Sequence, residues 1–215
     1  MPPDLPAQHL KVALIGNPNT GKSTLFNALS GFRSQTGNYP GVTVEKKIGR
    51  TTCAGRSVDL IDLPGTYSLS PRTLDEMVAV DVLLGRQSEI GRPDVVVCIA
   101  DASNLERNLY LACQVLDIGL PTILVLNMSD VASARGIRID HAGLSQRLGI
   151  PVLCTAAHKQ QGMDELREAI VEAAAGAAPP PLRIFPPAFH AECARLREQL
   201  TASGGSEWPE FLIER

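Results

Sequence analysis

Short apolar runs alternate with stretches of helical periodicity along most of this 215-residue chain. The apolar runs predict six β-strands, near 10–15, 44–52, 56–62, 94–100, 121–127 and 151–155. Apolar residues spaced three or four apart predict five helices, near 22–30, 73–84, 104–118, 137–148 and 163–174. Strands that alternate with helices are typical of an α/β fold built around a parallel sheet.

Five of the six predicted strands are short and rich in Val, Ile or Leu, as in a sheet that is covered on both faces. The exception, 44–52, carries Lys46, Lys47 and Arg50, and it is therefore predicted to be an edge strand. A short turn joins it to the 56–62 strand, which indicates an antiparallel hairpin. We therefore expect a doubly wound, mostly parallel six-stranded sheet with one antiparallel edge strand, and a ligand at the carboxyl ends of its strands.

The composition changes near 173–181, where alanine and proline predominate. This change divides the chain into an N-terminal extension 1–9, a main domain 10–176, a proline-rich linker 177–185 and a helical segment 186–215. The helical segment contains one helix candidate near 189–200 and a second that begins near Pro209. Because the second candidate has barely two turns before the last residue, we expect the natural protein to be longer.

Charge and composition narrow the class of function. The 20 Lys and Arg and 23 Asp and Glu residues give a net charge of −3, with no basic stripe to favour nucleic acid. No apolar run approaches the ~18 residues of a membrane span, and the N-terminus lacks the regions of a signal peptide. The five cysteines are scattered without a C-x-x-C pair, as expected for small buried residues in a reducing compartment. We expect a cytoplasmic chain without a nucleic-acid partner.

The first candidate for chemistry is a phosphate-binding loop between the first strand and the first helix. Its sequence has the form G-x-x-x-x-G-K-S and consists of Gly16, Asn17, Pro18, Asn19, Thr20, Gly21, Lys22 and Ser23, followed by Thr24. The glycines let backbone N–H groups surround a phosphate, and the helix N-terminus adds a favourable partial charge. We expect Lys22 to contact the β- and γ-phosphates and the Ser23 hydroxyl to bind Mg²⁺.

A D-x-x-G sequence follows the strand 56–62 and consists of Asp62, Leu63, Pro64 and Gly65. At this distance from a phosphate-binding loop, Asp62 is expected to hold Mg²⁺ through water, and the Gly65 N–H to contact the γ-phosphate. A threonine between the two motifs, Thr43, is the expected switch residue that binds Mg²⁺ only with a nucleoside triphosphate. We expect its neighbours Gly41 and Val42 to face the nucleotide, and the glycine-containing segment 32–43 to be mobile.

A third element follows the strand 121–127 and consists of Asn127, Met128, Ser129 and Asp130. It is similar to the N-K-x-D motif of GTPases, in which the carboxylate accepts two hydrogen bonds from guanine and thereby excludes adenine. Met128 stands where most GTPases have lysine; methionine can cover the base but cannot donate a hydrogen bond. A loop of Thr155, Ala156 and Ala157 is placed to contact the guanine. The alternative interpretation makes Asp130 a helix cap and Thr43 an ordinary strand residue.

Longer stretches of sequence resemble one family, ferrous iron transport protein B. They are 16–27, 37–45, 62–69, 101–109 and 127–130, and the resemblance covers about residues 10–175. It implies a P-loop GTPase of the TrmE-Era-EngA type, with Mg²⁺ and with GTP or GDP as ligand. It also implies that 10–176 is the G domain and 186–215 part of a helical subdomain. In that family this region leads into a membrane domain that moves Fe²⁺, so the domain would lie at the cytoplasmic face of the inner membrane.

The resemblance also implies a mechanism. The family is similar to cation-activated GTPases, in which K⁺ takes the place of an arginine finger. Asn19 matches the asparagine that binds K⁺, and Gly37 and Tyr39 match residues that offer backbone carbonyls; the alternative for Asn19 is an ordinary polar loop residue. Thr66 stands where many GTPases have a glutamine that orients water, and its hydroxyl is too short for that task, so hydrolysis should be slow.

The leading hypothesis is therefore a K⁺-stimulated GTPase switch that regulates ferrous iron uptake by a membrane domain of the same full-length chain. A second hypothesis is a soluble GTPase in ribosome or tRNA maturation, although the helical tail is not basic. A third is a nucleotide-binding module without useful turnover. The sequence leaves the oligomeric state open, a homo-oligomer included.

Overall fold

A computed structural model describes residues 9–31, 34–176, 186–202 and 213. Its strands are β1 Leu10–Gly16, β2 Ser34–Asn38, β3 Glu45–Cys53, β4 Arg56–Asp62, β5 Val95–Asp101, β6 Thr122–Asn127 and β7 Val152–Cys154. Its helices are α1 Lys22–Ser30, α2 Leu74–Leu83, α3 Leu105–Asp117, α4 Ser129–Ala134, α5 His141–Leu148, α6 Met163–Ala175 and α7 Pro187–Ala202. Two short 3-10 turns lie at Ala102–Asn104 and Ala157–Lys159.

The strands form one sheet in the order β2-β3-β4-β1-β5-β6-β7. β1 lies between β4 and β5 and is parallel to both, and β6 and β7 extend the parallel part. β3 is antiparallel to β4, and β2 is antiparallel to β3. The predicted fold class, a mostly parallel α/β sheet with an antiparallel edge, is confirmed.

The sheet has seven strands, one more than predicted. The additional strand β2 has the sequence Ser-Gln-Thr-Gly-Asn, and all five of its residues are exposed. It has no alternation of apolar and polar residues, because β3 holds it by backbone pairing along one edge only. The strand lies within the segment 32–43 that was predicted to be mobile, and it contains Gly37, one of the predicted K⁺ ligands.

Side chains of β1 alternate between two apolar layers. Val12 and Leu14 point to the layer that contains α1 and α6, whereas Ala13 and Ile15 point to the layer that contains α2 and α3. This alternation buries β1 on both faces, as the continuous apolar run predicted. The carboxyl ends of β1 and β4 meet at one edge of the sheet, where the phosphate-binding loop and the D-x-x-G sequence lie.

One helix starts later than predicted, and one short helix was not predicted. The predicted helix 137–148 begins at His141, because the Asp140 side chain accepts a hydrogen bond from the Gly143 N–H at 2.9 Å and caps the first turn. The short helix α4, directly after β6, was not predicted. The predicted linker 177–185 and most of the second tail helix lie outside the described residues. In the ranges that the structure describes, no helix is both long enough and apolar enough to cross a bilayer.

Candidate nucleotide-binding site

The backbone of the loop between β1 and α1 is left-handed at two residues. Asn19 and Gly21 both have a positive φ, of 67° and 80°, and Gly21 immediately precedes α1. A Cβ atom on Gly16 would lie 2.5 Å from the Ile99 carbonyl oxygen, and one on Gly21 would lie 2.4 Å from the Asn127 Nδ2 atom. Both glycines are therefore required by close packing, and Gly21 also by its left-handed conformation.

Hydrogen bonds stabilise the phosphate-binding loop internally and join it to the D-x-x-G segment. The Thr20 hydroxyl donates to the Asn17 carbonyl oxygen at 2.9 Å. The Thr66 N–H donates to the Gly16 carbonyl oxygen at 3.2 Å, and the Leu63 N–H continues the pairing with β1. The Asn17 Oδ1 atom is buried without a hydrogen-bond partner. The two phosphate motifs therefore form one rigid unit.

Lys22 and Asp62, the two charged residues of these motifs, form an ion pair through Nζ and Oδ1. Their side chains are only 13% and 10% exposed, so the pair is shielded from water. A bound phosphate would attract Lys22, and a divalent cation would attract Asp62. The ion pair thus keeps both charges balanced in the site until ligands separate them.

A cavity of about 410 Å³ lies against this ion pair. Its lining includes Lys22, Ser23, Thr43, Val44, Glu45, Lys47, Asp62, Leu63, Pro64 and Asp75. Ser23, Thr43 and Asp62, each with side-chain oxygen atoms, therefore line one cavity, and hard oxygen ligands of this kind suit Mg²⁺. A larger cavity of about 790 Å³ lies at the far end of α1 and includes His9, Arg50 and Asp59 but none of the predicted site residues.

The segment with Gly37 and Tyr39 is folded against the core. Gly37 pairs with Lys46 in the β2–β3 ladder. The Tyr39 ring is 1% exposed, and its backbone is fixed by the Val44 carbonyl oxygen at 3.0 Å and by the Val42 N–H at 3.3 Å. Burial, together with the negative charge of Asp62, raises the pKa of Tyr39 above its usual range. The sequence indicated a role for the Tyr39 carbonyl only, and the burial of its ring was not predicted.

Gly41 and Val42 form the turn between Tyr39 and the cavity. Gly41 has a φ of 77°, and Val42 packs on the edge of the apolar layer. Thr43 itself is exposed and lines the cavity. Among the described residues that line the cavity, none of the three predicted K⁺ ligands occurs, so the assembly of Asn19 with Gly37 and Tyr39 stays a prediction.

The Thr66 hydroxyl is directed into the turn before α2. Thr66 is 1% exposed, and its hydroxyl donates to the Ser68 carbonyl oxygen at 2.6 Å and lies 3.2 Å from the Glu76 Oε1 atom. The pKa of Glu76 is lowered chiefly by the Arg72 N–H, with a further contribution from Thr66. Thr66 therefore fixes the conformation of the turn that follows Gly65.

Asn127 joins the base-binding elements to the phosphate-binding loop. Its Nδ2 atom donates to the Thr20 carbonyl oxygen at 2.9 Å. Its Oδ1 atom accepts from the Thr155 hydroxyl and from the Ala157 N–H, both at 3.1 Å. Met128 follows with a φ of 59°, and its Cε atom is 3.4 Å from the position of a Cβ on Gly21. The Met128 side chain therefore lies next to the phosphate-binding loop.

Asp130 lies in the first turn of α4, and its two carboxylate oxygens have different surroundings. The Oδ2 atom is 2.6 Å from Lys159 Nζ and 3.4 Å from His158 Nε2. The Oδ1 atom is buried and has no hydrogen-bond partner. The Lys159 hydrogen bond is the main cause of a lowered pKa of Asp130. The sequence prediction missed Lys159 and His158; the only available signal was their position directly after Ala157.

The predicted loop Thr155, Ala156 and Ala157 is buried and lies against α4. The Thr155 carbonyl oxygen accepts hydrogen bonds from the N–H and from the hydroxyl of Ser129, at 3.0 and 2.9 Å. The two elements that were expected to hold a base are thus in direct contact.

A phosphate-binding loop after β1, a D-x-x-G sequence after β4 and an acidic base-binding motif after β6 of one sheet define a P-loop NTPase of the G-domain type. A search of family models matches residues 10–170 to ferrous iron transport protein B. Because that match covers most of the chain, the chain belongs to this family.

Known relatives agree with this assignment. The Fe(2+) transporter FeoB of Escherichia coli strain K12 is 47% identical over 165 residues, which are 75% of this chain and 21% of that protein. The chain thus spans about a fifth of the length of the curated relatives it matches. The cytosolic domain of the T. maritima FeoB iron transporter in a GDP form has a TM-score of 0.87 and 38% identity, over 97% of this chain and 80% of that domain. Its GMPPNP form has a TM-score of 0.85 and 39% identity, over 95% and 79%.

Proposed function

We propose that this chain binds GTP, hydrolyses it slowly and acts as the switch that regulates a ferrous iron transporter. The observation that carries the proposal is the buried Oδ1 atom of Asp130, which has no hydrogen-bond partner and belongs to a motif that Asn127 joins to the phosphate-binding loop. A buried acceptor without a partner costs free energy, and a guanine N–H would satisfy it. The relative from T. maritima is described in GDP and GMPPNP forms, which supports the same ligands here.

At the phosphate end, the loop Gly16–Thr24 supplies backbone N–H groups and Lys22 supplies charge. Ser23, Thr43 and Asp62 would hold Mg²⁺, which, when bound, neutralises charge that develops on the phosphates. Lys22 leaves Asp62 and binds the β- and γ-phosphates, and the Gly65 N–H contacts the γ-phosphate. Because the Thr66 hydroxyl donates its proton to the Ser68 carbonyl oxygen, it is not placed to orient a water molecule, and intrinsic turnover should be slow.

Asn19 would contribute the side-chain ligand of a K⁺ ion, with the carbonyls of Gly37 and Tyr39 as further ligands. Asn19 is exposed, and the Tyr39 carbonyl, although it accepts from Val42, keeps a second lone pair. When bound between the phosphates, such a cation stabilises charge in the transition state. These ligands belong to two separate segments, the loop 16–23 and the segment 34–43, and a movement of the second toward the first would be the nucleotide-dependent change of switch I.

The regulated partner is a membrane domain in the remainder of the full-length chain, because the matched 165 residues are only 21% of the E. coli relative, which is named an Fe(2+) transporter. The G domain 10–176 would lie on the cytoplasmic side of the membrane. The similar domains from T. maritima and L. pneumophila are described as cytosolic. The helix α7 would begin the helical subdomain 186–215 that transmits the nucleotide state. A homo-oligomer is compatible with this arrangement.

Hydrolysis of GTP and ATP by the purified chain, measured in KCl and in NaCl, tests the proposal. We expect turnover of GTP only, with a strong increase in K⁺. Asn19→Ala should reduce the rate in KCl to that in NaCl, whereas Asn104→Ala, which changes an exposed asparagine outside the site, should not. Asp130→Ala should weaken GDP binding about ten- to hundredfold, the scale of hydrogen bonds to a charged group.

Three results would contradict parts of the proposal. Equal use of ATP would remove the role of Asp130 in base recognition. A GTPase rate that is the same in both salts would remove the K⁺ mechanism and leave the GTPase. Absence of phosphate release in both salts would favour a binding module without turnover.

A further inference from the structure

The two oxygen atoms of the Asp130 carboxylate are not equally available to a base. Guanine offers two donors on one edge, the N1–H and the N2 amine, and a carboxylate accepts them with one oxygen each. Oδ1 is buried without a hydrogen-bond partner, whereas Oδ2 lies 2.6 Å from Lys159 Nζ and 3.4 Å from His158 Nε2. A ligand that uses both oxygens therefore competes with two groups that are already placed at Oδ2.

We propose that Lys159 competes with guanine for Asp130 and lowers the affinity of the site for guanine nucleotides. This inference rests on the proposed function, in which Asp130 recognises the base. The lysine ammonium group occupies, in the free protein, the place of one guanine donor. The resulting ion pair stabilises the nucleotide-free state and is lost when the nucleotide binds.

The turn that carries Lys159 is held in place without help from the lysine side chain. Ala156 and Gln161 exchange two backbone hydrogen bonds, at 3.2 and 3.3 Å, across the 3-10 turn. Asn127 fixes the Ala157 N–H at 3.1 Å. The Lys159 side chain is 50% exposed, so it can rotate into solvent while the loop stays folded. Displacement therefore costs the ion pair alone and does not require refolding of the base-binding loop.

The expected size of the effect follows from exposure. The Asp130 side chain is 19% exposed and that of Lys159 is half exposed, and pairs of this kind contribute modestly. Loss of the competing pair should therefore tighten binding of GDP about two- to five-fold. His158 lies at 3.4 Å and is 53% exposed, so it is the secondary competitor. ADP does not use the carboxylate in this way, and its weak binding should stay unchanged.

Calorimetric titration of the whole chain with GDP and with ADP tests this inference. Lys159→Met keeps the length of the side chain and removes its charge, and it should bind GDP two- to five-fold more tightly with ADP unchanged. Lys159→Arg should keep the affinity of the original chain. Lys11→Met is the matched control for net charge, because it removes a lysine at the end of β1 that is distant from the phosphate-binding loop. It should not change the affinity for GDP. The double variant His158→Ala with Lys159→Met should bind GDP at least as tightly as Lys159→Met.

Asp130→Ala separates failure of this inference from failure of the proposed function. If Asp130→Ala weakens GDP binding while Lys159→Met leaves it unchanged or weaker, competition is wrong and base recognition by Asp130 stands. If the original chain does not bind GDP, or if Asp130→Ala changes nothing, both ideas are overturned. A gain for Lys159→Met that Lys11→Met reproduces would reduce the effect to net charge and also overturn the inference.

Discussion

Asn127 is the residue on which the geometry of the whole site depends most directly. It is 3% exposed, and its amide makes hydrogen bonds to Thr20, Thr155 and Ala157, which lie in two separate loops. Each of these partners is buried, so solvent does not reach it to replace the amide. A single side chain thus links the loop that is predicted to hold the phosphates to the loop that is predicted to hold the base.

We predict that Asn127→Ala lowers the free energy of unfolding by about 2–3 kcal/mol, because it leaves buried polar groups without partners. GDP affinity should also fall by more than tenfold, since both loops lose their common support. Urea denaturation with an unchanged m-value and a GDP titration measure the two effects. Asn104→Ala, in an exposed position, should change stability by less than about 0.5 kcal/mol. An Asn127→Ala variant of normal stability would show that the amide is not needed to join the loops.

The motif residues were predictable from sequence because each motif is local. The glycines and Lys22 lie within one loop, and the order of strands brings Asp62 and Asp130 to the same edge of the sheet. Partners that are distant in the chain were not predictable: Lys22 and Asp62 are 40 residues apart, and Asn127 and Thr20 are 107 apart. A sequence pattern indicates which residues lie at the site, but not which side chains bond to one another before the ligand arrives.

At the scale of elements, the segment between β4 and α2 is tied to α3 by one buried side chain. Gln114 is 2% exposed, and its Oε1 atom accepts a hydrogen bond from the Leu69 N–H at 2.6 Å. On the surface of the same segment, the Arg107 guanidinium lies 4.4 Å from the centre of the Tyr67 ring. The segment after Gly65 is therefore attached to α3 by a buried hydrogen bond.

We predict that Gln114→Ala increases local opening of this segment about fivefold, the effect of losing one buried hydrogen bond of about 1 kcal/mol. Trypsin should then cleave after the exposed Arg72 correspondingly faster, because the protease acts on the open form. Mass spectrometry of the first cleavage product measures the rate. Gln146→Ala, on the exposed face of α5, is the matched control and should not change it. Equal rates in both variants would place the attachment elsewhere.

Elements with an apolar face were predicted well, and elements held by backbone alone were not. The strand β5 consists of seven residues of which six are buried, and its apolar run showed it clearly. The strand β2 has no buried residue, and only its pairing with β3 makes it a strand. The helix α5 was predicted to begin at residue 137, because Ile137 and Ile139 fit its apolar spacing. It begins at His141 instead, since the Asp140 side chain caps the first turn there.

At the scale of the whole molecule, the sheet separates two apolar layers that share the same strands. Cys53 lies in the layer with α1 and α6, and Cys98 lies in the layer with α2 and α3. Both thiols are buried, whereas Cys154 is exposed at the end of β7. Burial raises the pKa of the Cys98 thiol to about 12, so in the folded protein it stays protonated at neutral pH. These cysteines therefore report the opening of each layer separately.

We predict that the exposed Cys154 reacts with a thiol reagent at pH 8 in the folded protein, at a rate that partial burial slows by raising its pKa, while Cys53 and Cys98 react only when the molecule unfolds. In a Cys154→Ser background, GDP at a hundred times its Kd should slow both buried cysteines about a hundredfold, because ligand binding lowers the unfolded population by that factor. Between pH 7 and 8.5 both rates should rise with pH, since the unfolded thiol, of pKa about 8.5, sets the reactive fraction. Peptide mapping after timed labelling gives each rate.

If the layers unfold together, as their shared strands require, GDP protects both sites equally. Protection of Cys98 without protection of Cys53 would mean that the α1–α6 layer opens while nucleotide remains bound, and the sheet would then not be a single cooperative unit.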